Sequence, residues 1–422
     1  MTTQPTVALV GTLDTKGAEY DWIAEQLEAL GMRVHVVDAG IRQPHGFEHP
    51  IDTTQDAVAE AAGTTIAALR EGGDRGAAVT AAGIGAGVVL TALQRTGHLD
   101  GVIALGGSGG SSIAARAVRD LPVGLPKLIV STMASGDVSP YVGASDVTMM
   151  YSVVDISGIN SLSRSILGNA AAAISAMATA HAARAAAPAR DERPLVAASM
   201  FGVTTPAVDA ARERLEQLGY EVLVFHATGS GGQALESLAR SRAVVGVLDL
   251  TTTELADDLV GGVLTAGPAR LTAAGEAGIP QVVSLGALDM VNFGARDTVP
   301  AEFEGREFFI HNPTVTLMRT TVSESAELGR RVGAKLAAAS GPTVLLVPRG
   351  GVSALDAPGQ AFADSQADDA LFAAVTDGIA GSEVVVIDSP LHINDQEFAV
   401  RAADELHALI QHARDIEVAE EH

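Results

Sequence analysis

Residues 101–118, GVIALGGSGGSSIAARAV, place a glycine-rich turn between an apolar run typical of a buried strand and a run typical of a helix. A turn in this position directs backbone N–H groups and a helix N-terminus toward one anion. Glycine also lets a phosphate approach the backbone closely. The pattern predicts an α/β fold with a phosphate-binding loop, although a flexible Gly/Ser turn would have the same composition. The residues assigned to phosphate are Gly106, Gly107, Ser108, Gly109, Gly110 and Ser111.

The composition excludes several classes of protein. The chain has 422 residues, enough for two or three domains, and 47% of them are apolar. A net charge of −24 without a long basic run argues against binding nucleic acid through its phosphates. The absence of cysteine excludes disulfides, a thiol nucleophile and cysteine-based metal sites. Because no basic leader precedes the first strand and no uninterrupted apolar run reaches about 18 residues, we expect a cytoplasmic protein without a membrane segment.

The first half alternates strand and helix patterns. Apolar runs predict strands at 6–10, 34–38, 76–80, 102–105, 128–132 and 147–156. Helices are expected after a turn at 11–17 and over 56–70, 88–96, 112–121 and 161–187. A second glycine-rich turn is expected at 81–87.

The same pattern restarts after residues 186–194, a stretch with two prolines, small residues and four charges that is typical of a linker. Each half opens with a strand, a turn containing Gly and Thr, a helix that ends in Leu-Gly, and a second strand. We therefore expect a nucleotide-binding subdomain at 1–185 and a second subdomain at 195–422. The predicted fold is α/β, with two Rossmann-like open-sheet subdomains and a cleft between them.

The turn after the first strand carries further candidates for nucleotide binding. Thr12 and Thr15 offer hydroxyl groups, and Lys16 offers a positive charge for phosphate. Asp14 is a candidate ligand of Mg²⁺, which takes one or two carboxylates together with phosphate oxygens. The alternatives are that Asp14 caps the following helix and that Lys16 is solvated.

Two other strand ends add candidates for the same ligand. Asp38 ends the second strand, where a ribose-binding acid is often found. Thr132 and Ser135 follow a later strand and are expected at the same edge of the sheet.

Polar residues also stand at strand ends and turns of the second half, where two or three such groups could bind a substrate or transfer protons. The candidates for substrate binding are His226, Gly231, Gly232, Asp249, Thr251, Arg349 and Gly350. The alternative for each is a turn residue whose hydrogen bonds are satisfied within the fold. The spacing contains no H-E-x-x-H signature, and Ser353 does not lie in a G-x-S-x-G turn.

Five stretches carry a resemblance to a known family: GTLDTK at 11–16, GGSGG at 106–110, STMASG at 131–136, GSGGQ at 229–233 and RGGVS at 349–353. They resemble the tomato mosaic virus resistance protein-like ATP-binding family over nearly the whole chain. The resemblance implies two Rossmann-like subdomains and ATP binding. Plant members carry a further TIM-barrel domain C-terminal to this region, and the resemblance implies no particular reaction.

Two functions are compatible with these features. The first is a nucleotide-dependent enzyme, with ATP on the first subdomain, a small polar or acidic metabolite on the second, and closure that brings them together. The alternative is a non-catalytic module in which ATP controls binding of a protein partner. We also expect a homodimer, because residues 148–151 add apolar surface beside the long helix and two-fold dimers are the commonest oligomers.

Overall fold

A computed structural model describes residues 4–187 and 193–420, the last four of these by their backbone alone. The chain divides into an N-terminal unit, Met1–Arg190, and a C-terminal unit, Asp191–His422. The linker expected at 186–194 lies mainly outside the described residues, because 188–192 are among those not described.

The N-terminal unit is built on a five-stranded parallel sheet in the order β2-β1-β3-β4-β5. Its strands are β1 (Thr6–Gly11), β2 (Arg33–Asp38), β3 (Gly101–Gly106), β4 (Lys127–Ser131) and β5 (Thr148–Tyr151). The central strands β1, β3 and β4 are buried throughout, which explains their continuous apolar sequences. At one edge, Tyr151 of β5 is exposed.

Helices cover both faces of this sheet. They are α1 (Leu13–Ala29), α2 (Gln55–Ala61), α3 (Ile66–Gly72), α4 (Arg75–Arg95), α5 (Ser108–Val118), α6 (Ser139–Val142) and α7 (Ser161–Ala185). Helices α1 and α7 pack on one face, and α2, α4 and α5 pack on the other. By length and composition α4 and α7 could cross a membrane, but each buries one side in the core of this unit.

The strand at 76–80 and the turn at 81–87 predicted from the sequence are wrong, because α4 is one continuous helix of 21 residues. Its glycines serve close helix packing. A Cβ atom at Gly83 would lie 2.8 Å from Cβ of Arg116, and one at Gly85 would overlap the carbonyl of Val58. A helix that packs closely through glycines can therefore have the same amino-acid composition as a glycine-rich turn.

Other helix boundaries also differ from expectation. Helix α1 begins at Leu13, so most of the turn expected at 11–17 is its first turn, with Lys16 outside helical geometry at φ −136°. Helix α5 begins at Ser108, so Gly109 and Gly110 lie in its first turn and Gly107 is its N-cap. The helix expected at 56–70 is divided into α2 and α3, with Gly63 at φ +72° between them.

The C-terminal unit contains a six-stranded parallel sheet in the order β14-β13-β9-β8-β6-β7 and a separate antiparallel sheet in the order β10-β12-β11. The parallel strands are β6 (Leu195–Met200), β7 (Glu221–His226), β8 (Gly246–Thr251), β9 (Gln281–Gly286), β13 (Thr343–Pro348) and β14 (Val385–Ser389). The antiparallel strands are β10 (Met290–Phe293), β11 (Phe308–Asn312) and β12 (Val315–Arg319).

Its helices again cover the parallel sheet. They are α8 (Thr205–Gln217), α9 (Ser230–Arg240), α10 (Glu254–Val260), α11 (Ala273–Glu276), α12 (Val322–Ala337), α13 (Ser365–Gly378) and α14 (Gln396–Glu420). When the parallel strands of each unit are numbered along the chain, both sheets have the order 2-1-3-4-5, and the second adds a sixth strand. The predicted α/β class with two open parallel sheets is confirmed.

Candidate functional site

A pocket of about 760 Å³ lies at the carboxyl ends of β1, β2 and β3 in the N-terminal unit. The chain passes from β1 to β2 on one side of the sheet and then to β3 on the other, so the strand order reverses between β1 and β3. Open α/β sheets bind ligands at such a switch point, in pockets of about 300–1,000 Å³. We call this cavity the switch-point pocket.

The pocket brings together the two predicted nucleotide-binding stretches. Its walls come from the turn after β1, the loop after β2, the turn between α3 and α4, and the start of α5. The polar or glycine residues that line it are Thr12, Asp14, Thr15, Lys16, Gly40, Arg42, Arg70, Gly73, Asp74, Arg75, Gly107, Ser108, Gly109, Gly110 and Asp155. Leu69, Val79 and Ile113 add an apolar wall.

The first turn of α5 presents unpaired backbone donors to the pocket. Gly107 is the N-cap and provides no side-chain acceptor. Among the described residues, no atom accepts a hydrogen bond from the amides of Ser108, Gly109 and Gly110, which we call the amide cradle. A Cβ atom at Gly106 would lie 2.8 Å from Cα of Gly110, so glycine is required where β3 meets the helix. A helix N-terminus in this state is suited to an anion.

Four cationic side chains and three carboxylates line the pocket, against 27 basic and 51 acidic residues in the whole chain. No described carboxylate lies within 4.0 Å of Arg42, Arg70 or Arg75. The guanidinium of Arg75 lies beside Gly109 of the amide cradle, since Nη2 is 3.6 Å from the position of a Cβ atom at Gly109. The pocket is therefore a locally cationic site in an acidic protein.

Lys16 has a partner within the protein. Its ammonium donates to the carbonyl oxygen of Ile156, in the segment between β5 and α7. Next to it, the hydroxyls of Thr12 and Thr15 are 2.7 Å apart and share a hydrogen bond. Lys16 is half-buried rather than solvated, and its other two donors are available to a ligand.

Asp14 organises the loop after β2 and does not cap α1, whose N-cap is Thr12. Its Oδ2 accepts hydrogen bonds from the amides of Ile41 (3.3 Å) and Arg42 (3.0 Å). Its Oδ1 is buried and has no partner among the described residues. A carboxylate oxygen of this kind fits a Mg²⁺ ion held through water and phosphate oxygens. No cluster of three His, Asp or Glu side chains suited to a metal occurs in the described part of the chain, and such an ion needs none.

The remaining N-terminal candidates lie around the pocket rather than in its wall. Asp38 is buried, and its Oδ1 accepts from the amides of Leu13 (3.3 Å) and Gly40 (2.9 Å). Burial raises the pKa of this carboxyl. Through these two hydrogen bonds Asp38 connects the segment after β1 to the loop after β2. The Ser111 hydroxyl is buried 2.6 Å from that of Ser131.

Thr132 and Ser135 follow β4. The amide of Thr132 donates to the carbonyl of Gly106 (3.2 Å), beside the amide cradle. Ser135 is exposed in the turn beyond it.

The substrate-binding candidates of the C-terminal unit are mostly engaged within the fold. Asp249 forms a two-point ion pair with the fully buried Arg270 (2.5 and 2.7 Å), and Glu254 and Glu236 contact the same guanidinium (2.6 and 3.2 Å). Thr251 is buried and shares a hydrogen bond of 2.7 Å with Thr204. These residues form a structural network, with no surface left for a substrate.

The glycine loop of the C-terminal unit already holds an anion. The Oε1 atom of Glu254 accepts from the amides of Gly229 (2.7 Å) and Gly232 (3.0 Å) at the start of α9. A Cβ atom at Gly232 would overlap this carboxylate, and one at Gly231 would overlap the carbonyl of His226. The position that corresponds to the amide cradle is thus filled by a side chain of the protein.

The last three C-terminal candidates lie at other loops. His226 is exposed at the end of an edge strand and packs edge-on against Phe201. Arg349 pairs with Asp388 (2.9 Å). A Cβ atom at Gly350 would lie 2.5 Å from the amide of His392, so this glycine permits a close loop contact.

The sequence did not identify Arg42, Arg70 and Arg75 as site residues. Arg42 lies in the loop after β2, Arg70 in the short helix α3 and Arg75 at the start of α4. The sequence had predicted a strand, not a helix, directly after Arg75. No local sequence signal marks them, because whether an arginine has a carboxylate partner depends on the fold.

Comparison with known proteins supports the resemblance found in the sequence. A model of the uncharacterised protein family (UPF0261) N-terminal domain matches residues 5–183, and a model of its C-terminal domain matches residues 193–410. A UPF0261 protein of Clostridium tetani (strain Massachusetts / E88) is 49% identical over 95% of this chain and 98% of its own length. The ToMV resistance protein Tm-1(GCR237) of Solanum lycopersicum is 46% identical over 76% of this chain but 43% of its own length.

A solved structure that matches most of the chain is only distantly similar. The UDP-GlcNAc 2-epimerase of Methanocaldococcus jannaschii, in complex with UDP-GlcNAc and UDP, aligns with 95% of this chain and 92% of its own at 8% identity and a TM-score of 0.21. The fold is therefore assigned from the strand order of the chain itself. Because both domain models match and a relative is similar over nearly its full length, the chain belongs to the uncharacterised protein family UPF0261.

Proposed function

We propose that the chain binds ATP with Mg²⁺ in the switch-point pocket and acts as a nucleotide-dependent enzyme on a small polar or acidic metabolite. The observation that carries the proposal is the amide cradle. Its three amides, unpaired among the described residues, lie at a helix N-terminus beside the guanidinium of Arg75, in the pocket that Lys16 also lines. Backbone amides and cations that line one pocket suit the oxygens of a phosphate chain.

The remaining walls suit the other parts of the ligand. Leu69, Val79 and Ile113 offer apolar surface for a base, and the unpartnered Oδ1 of Asp14 is suited to a hydrated Mg²⁺ ion. Bound Mg²⁺ would supply charge neutralisation for the phosphates. The protein's own residues would orient the phosphate chain and hold the loops that enclose it.

One observation favours the alternative of a nucleotide-controlled interaction module. The segment after β5 contributes Asp155 to the pocket, binds Lys16 through the carbonyl of Ile156, and exposes Val153 to solvent. A nucleotide that contacts Lys16 would thus act on a segment with an apolar side chain at the surface. Release of phosphate in the presence of a metabolite supports the enzyme, whereas a partner that binds only the ATP-loaded protein supports the module.

Calorimetric titration of ATP with and without Mg²⁺ tests the proposal, with Arg75→Ala and Arg95→Ala as a matched pair. Both arginines are exposed residues of α4, at opposite ends of a helix about 30 Å long. A charge-assisted bond contributes about 1.5–3 kcal/mol. We therefore expect Arg75→Ala to weaken ATP binding about 10- to 150-fold and Arg95→Ala to leave it unchanged. No binding to the parent protein at millimolar ATP would contradict the proposal.

A further inference from the structure

Two groups of cationic side chains lie in the switch-point pocket, on opposite sides of β1. Arg75 lies beside Gly109 of the amide cradle, which follows β3. Arg42 and Arg70 stand at the loop after β2. Because β2 and β3 flank β1 and adjacent strands are about 4.8 Å apart, the two strand ends are separated by roughly 10 Å. That separation is enough for two anionic groups to bind side by side.

The loop after β2 is held through its backbone groups, by Asp14 on one side and Arg70 on the other. Asp14 binds the amides of Ile41 and Arg42, and the Nε atom of Arg70 donates to the carbonyl of Ile41. Nη2 of Arg70 lies 3.5 Å from Oε1 of Gln55. Within the described residues, Nη1 of Arg70 and the whole guanidinium of Arg42 have no hydrogen-bond acceptor. The loop is therefore ordered without the charge of Arg42, and Arg70, whose Nε atom binds the loop, keeps Nη1 for a ligand.

The C-terminal candidates do not provide a comparable site. Asp249 and Thr251 are buried in internal bonds, and Arg349 is paired with Asp388. Guanidinium groups without a carboxylate partner also occur elsewhere among the described residues, but those of Arg42, Arg70 and Arg75 line one pocket. A guanidinium matches a carboxylate or phosphate in a two-point hydrogen bond.

We propose that Arg42 and Arg70 form a second anion subsite, which binds the carboxylate or phosphate group of the acidic metabolite while the nucleotide phosphates occupy the amide cradle. This proposal rests on the proposed function and deepens it. It moves the metabolite from the C-terminal unit to the switch-point pocket. Both ligands then lie in one cavity, as a transfer between them requires.

The test is calorimetric titration of succinate and of inorganic phosphate into protein saturated with ATP and Mg²⁺, at constant ionic strength. Saturating nucleotide blocks the amide cradle, so the probes report on the second subsite. We expect succinate or phosphate to bind the parent, and Arg42→Gln to weaken that probe about 10- to 150-fold. ATP affinity should fall much less in Arg42→Gln than in Arg75→Gln, because Arg42 lies at the loop after β2 and its exposed side chain takes no part in holding that loop. Arg95→Gln is the matched control and should change neither affinity.

Two results would overturn the subsite. One is the absence of any heat or thermal stabilisation with both probes at tens of millimolar. The other is a loss of ATP affinity in Arg42→Gln equal to that in Arg75→Gln, which would assign Arg42 to the nucleotide. If ATP fails to bind the parent, the proposed function fails by itself. The succinate titration of the unliganded protein and of Arg42→Gln then still decides whether Arg42 binds an acid.

Discussion

Lys16 is one of only three lysines in the chain, and each of the three donates to a backbone carbonyl oxygen. Lys127 is fully buried and also pairs with Asp146, whereas Lys335 binds the carbonyl of Pro268 (2.5 Å) in the C-terminal unit. An ammonium has three donors, so Lys16 can bind a phosphate while it keeps Ile156. The residue therefore has a structural role as well as the proposed role in ligand binding.

Lys16→Met should affect both stability and ATP binding. Loss of a donor to the partly buried Ile156 carbonyl should lower the free energy of unfolding by about 1–3 kcal/mol. Loss of the charge should weaken ATP about 10- to 150-fold. Lys335→Met is the matched control, which should lower stability but leave ATP binding unchanged. Urea unfolding and calorimetry measure the two effects, and equal ATP affinity in both variants would remove Lys16 from the phosphate site.

A second group of residues should make stability depend on pH. In the C-terminal unit the guanidinium of Arg319 contacts Asp356 (3.2 Å) and Asp368 (2.7 Å), and Asp289 is buried nearby. Burial and mutual repulsion raise the pKa of Asp289 to about 6 and the pKa values of Asp356 and Asp368 to about 7. The folded protein thus holds protons that the unfolded chain releases above pH 4.

Stability from these groups is fully present below the unfolded pKa of 3.8 and is lost as the pH rises through about 6–7. We expect the unfolding free energy to fall between pH 5 and pH 8, and Asp368→Asn to reduce that fall by roughly 1–3 kcal/mol. The lowered pKa of His35 acts in the opposite direction, so the difference between parent and variant is the quantity to measure. The same slope in both proteins, from urea unfolding at the two pH values, would contradict the assignment.

Among the helices, α5 and α9 both begin in a glycine-rich segment, but their N-terminal amides have different partners. Both helices follow a glycine-rich sequence and have 11 residues, but the amides of α9 bind Glu254 whereas those of α5 remain unpaired. This difference could not be predicted from sequence. Glu254 stands 22 to 25 residues beyond the glycines that it binds, and nothing in its local pattern sets it apart from a surface acid.

Glu254→Gln should destabilise the C-terminal unit without changing ATP binding. The substitution removes one charge from the buried contact with Arg270, at a cost on the order of 3 kcal/mol. Asp258→Asn is the matched control on the same helix. Its partly exposed pair with Arg331 contributes about 1 kcal/mol or less. Thermal unfolding and ATP titration of both variants test this, and loss of ATP binding in Glu254→Gln alone would place the nucleotide at α9.

At the scale of the whole molecule, the parallel sheets were predictable and the site was predictable in part. Buried parallel strands such as β1 and β13 are continuous apolar runs, which is a local signal. Helix α4 was misassigned because glycines for helix packing and glycines for turns have the same composition. The antiparallel strands β10 to β12 lie in a stretch without regular spacing and were missed.

The turn after β1 and the start of α5 were both expected at the ligand, because the carboxyl ends of neighbouring parallel strands share one edge. Arg42, Arg70 and Arg75 reach that edge from three separate segments. Their convergence depends on the path of α3 and α4, which sequence patterns do not specify. The sequence also does not show that Asp249, which stands at a strand end like a site residue, is buried in an ion pair with Arg270.

A crystal structure with a non-hydrolysable ATP analogue and Mg²⁺ would show whether the amide cradle of the N-terminal unit binds nucleotide phosphate. We expect phosphate oxygens about 2.7–3.2 Å from the amide nitrogens of Ser108, Gly109 and Gly110. We also expect one nucleotide per chain and this mode of binding, with Glu254 still bound at Gly229 and Gly232. A nucleotide bound at α9, or one bound elsewhere with the amide cradle left to solvent, would contradict it.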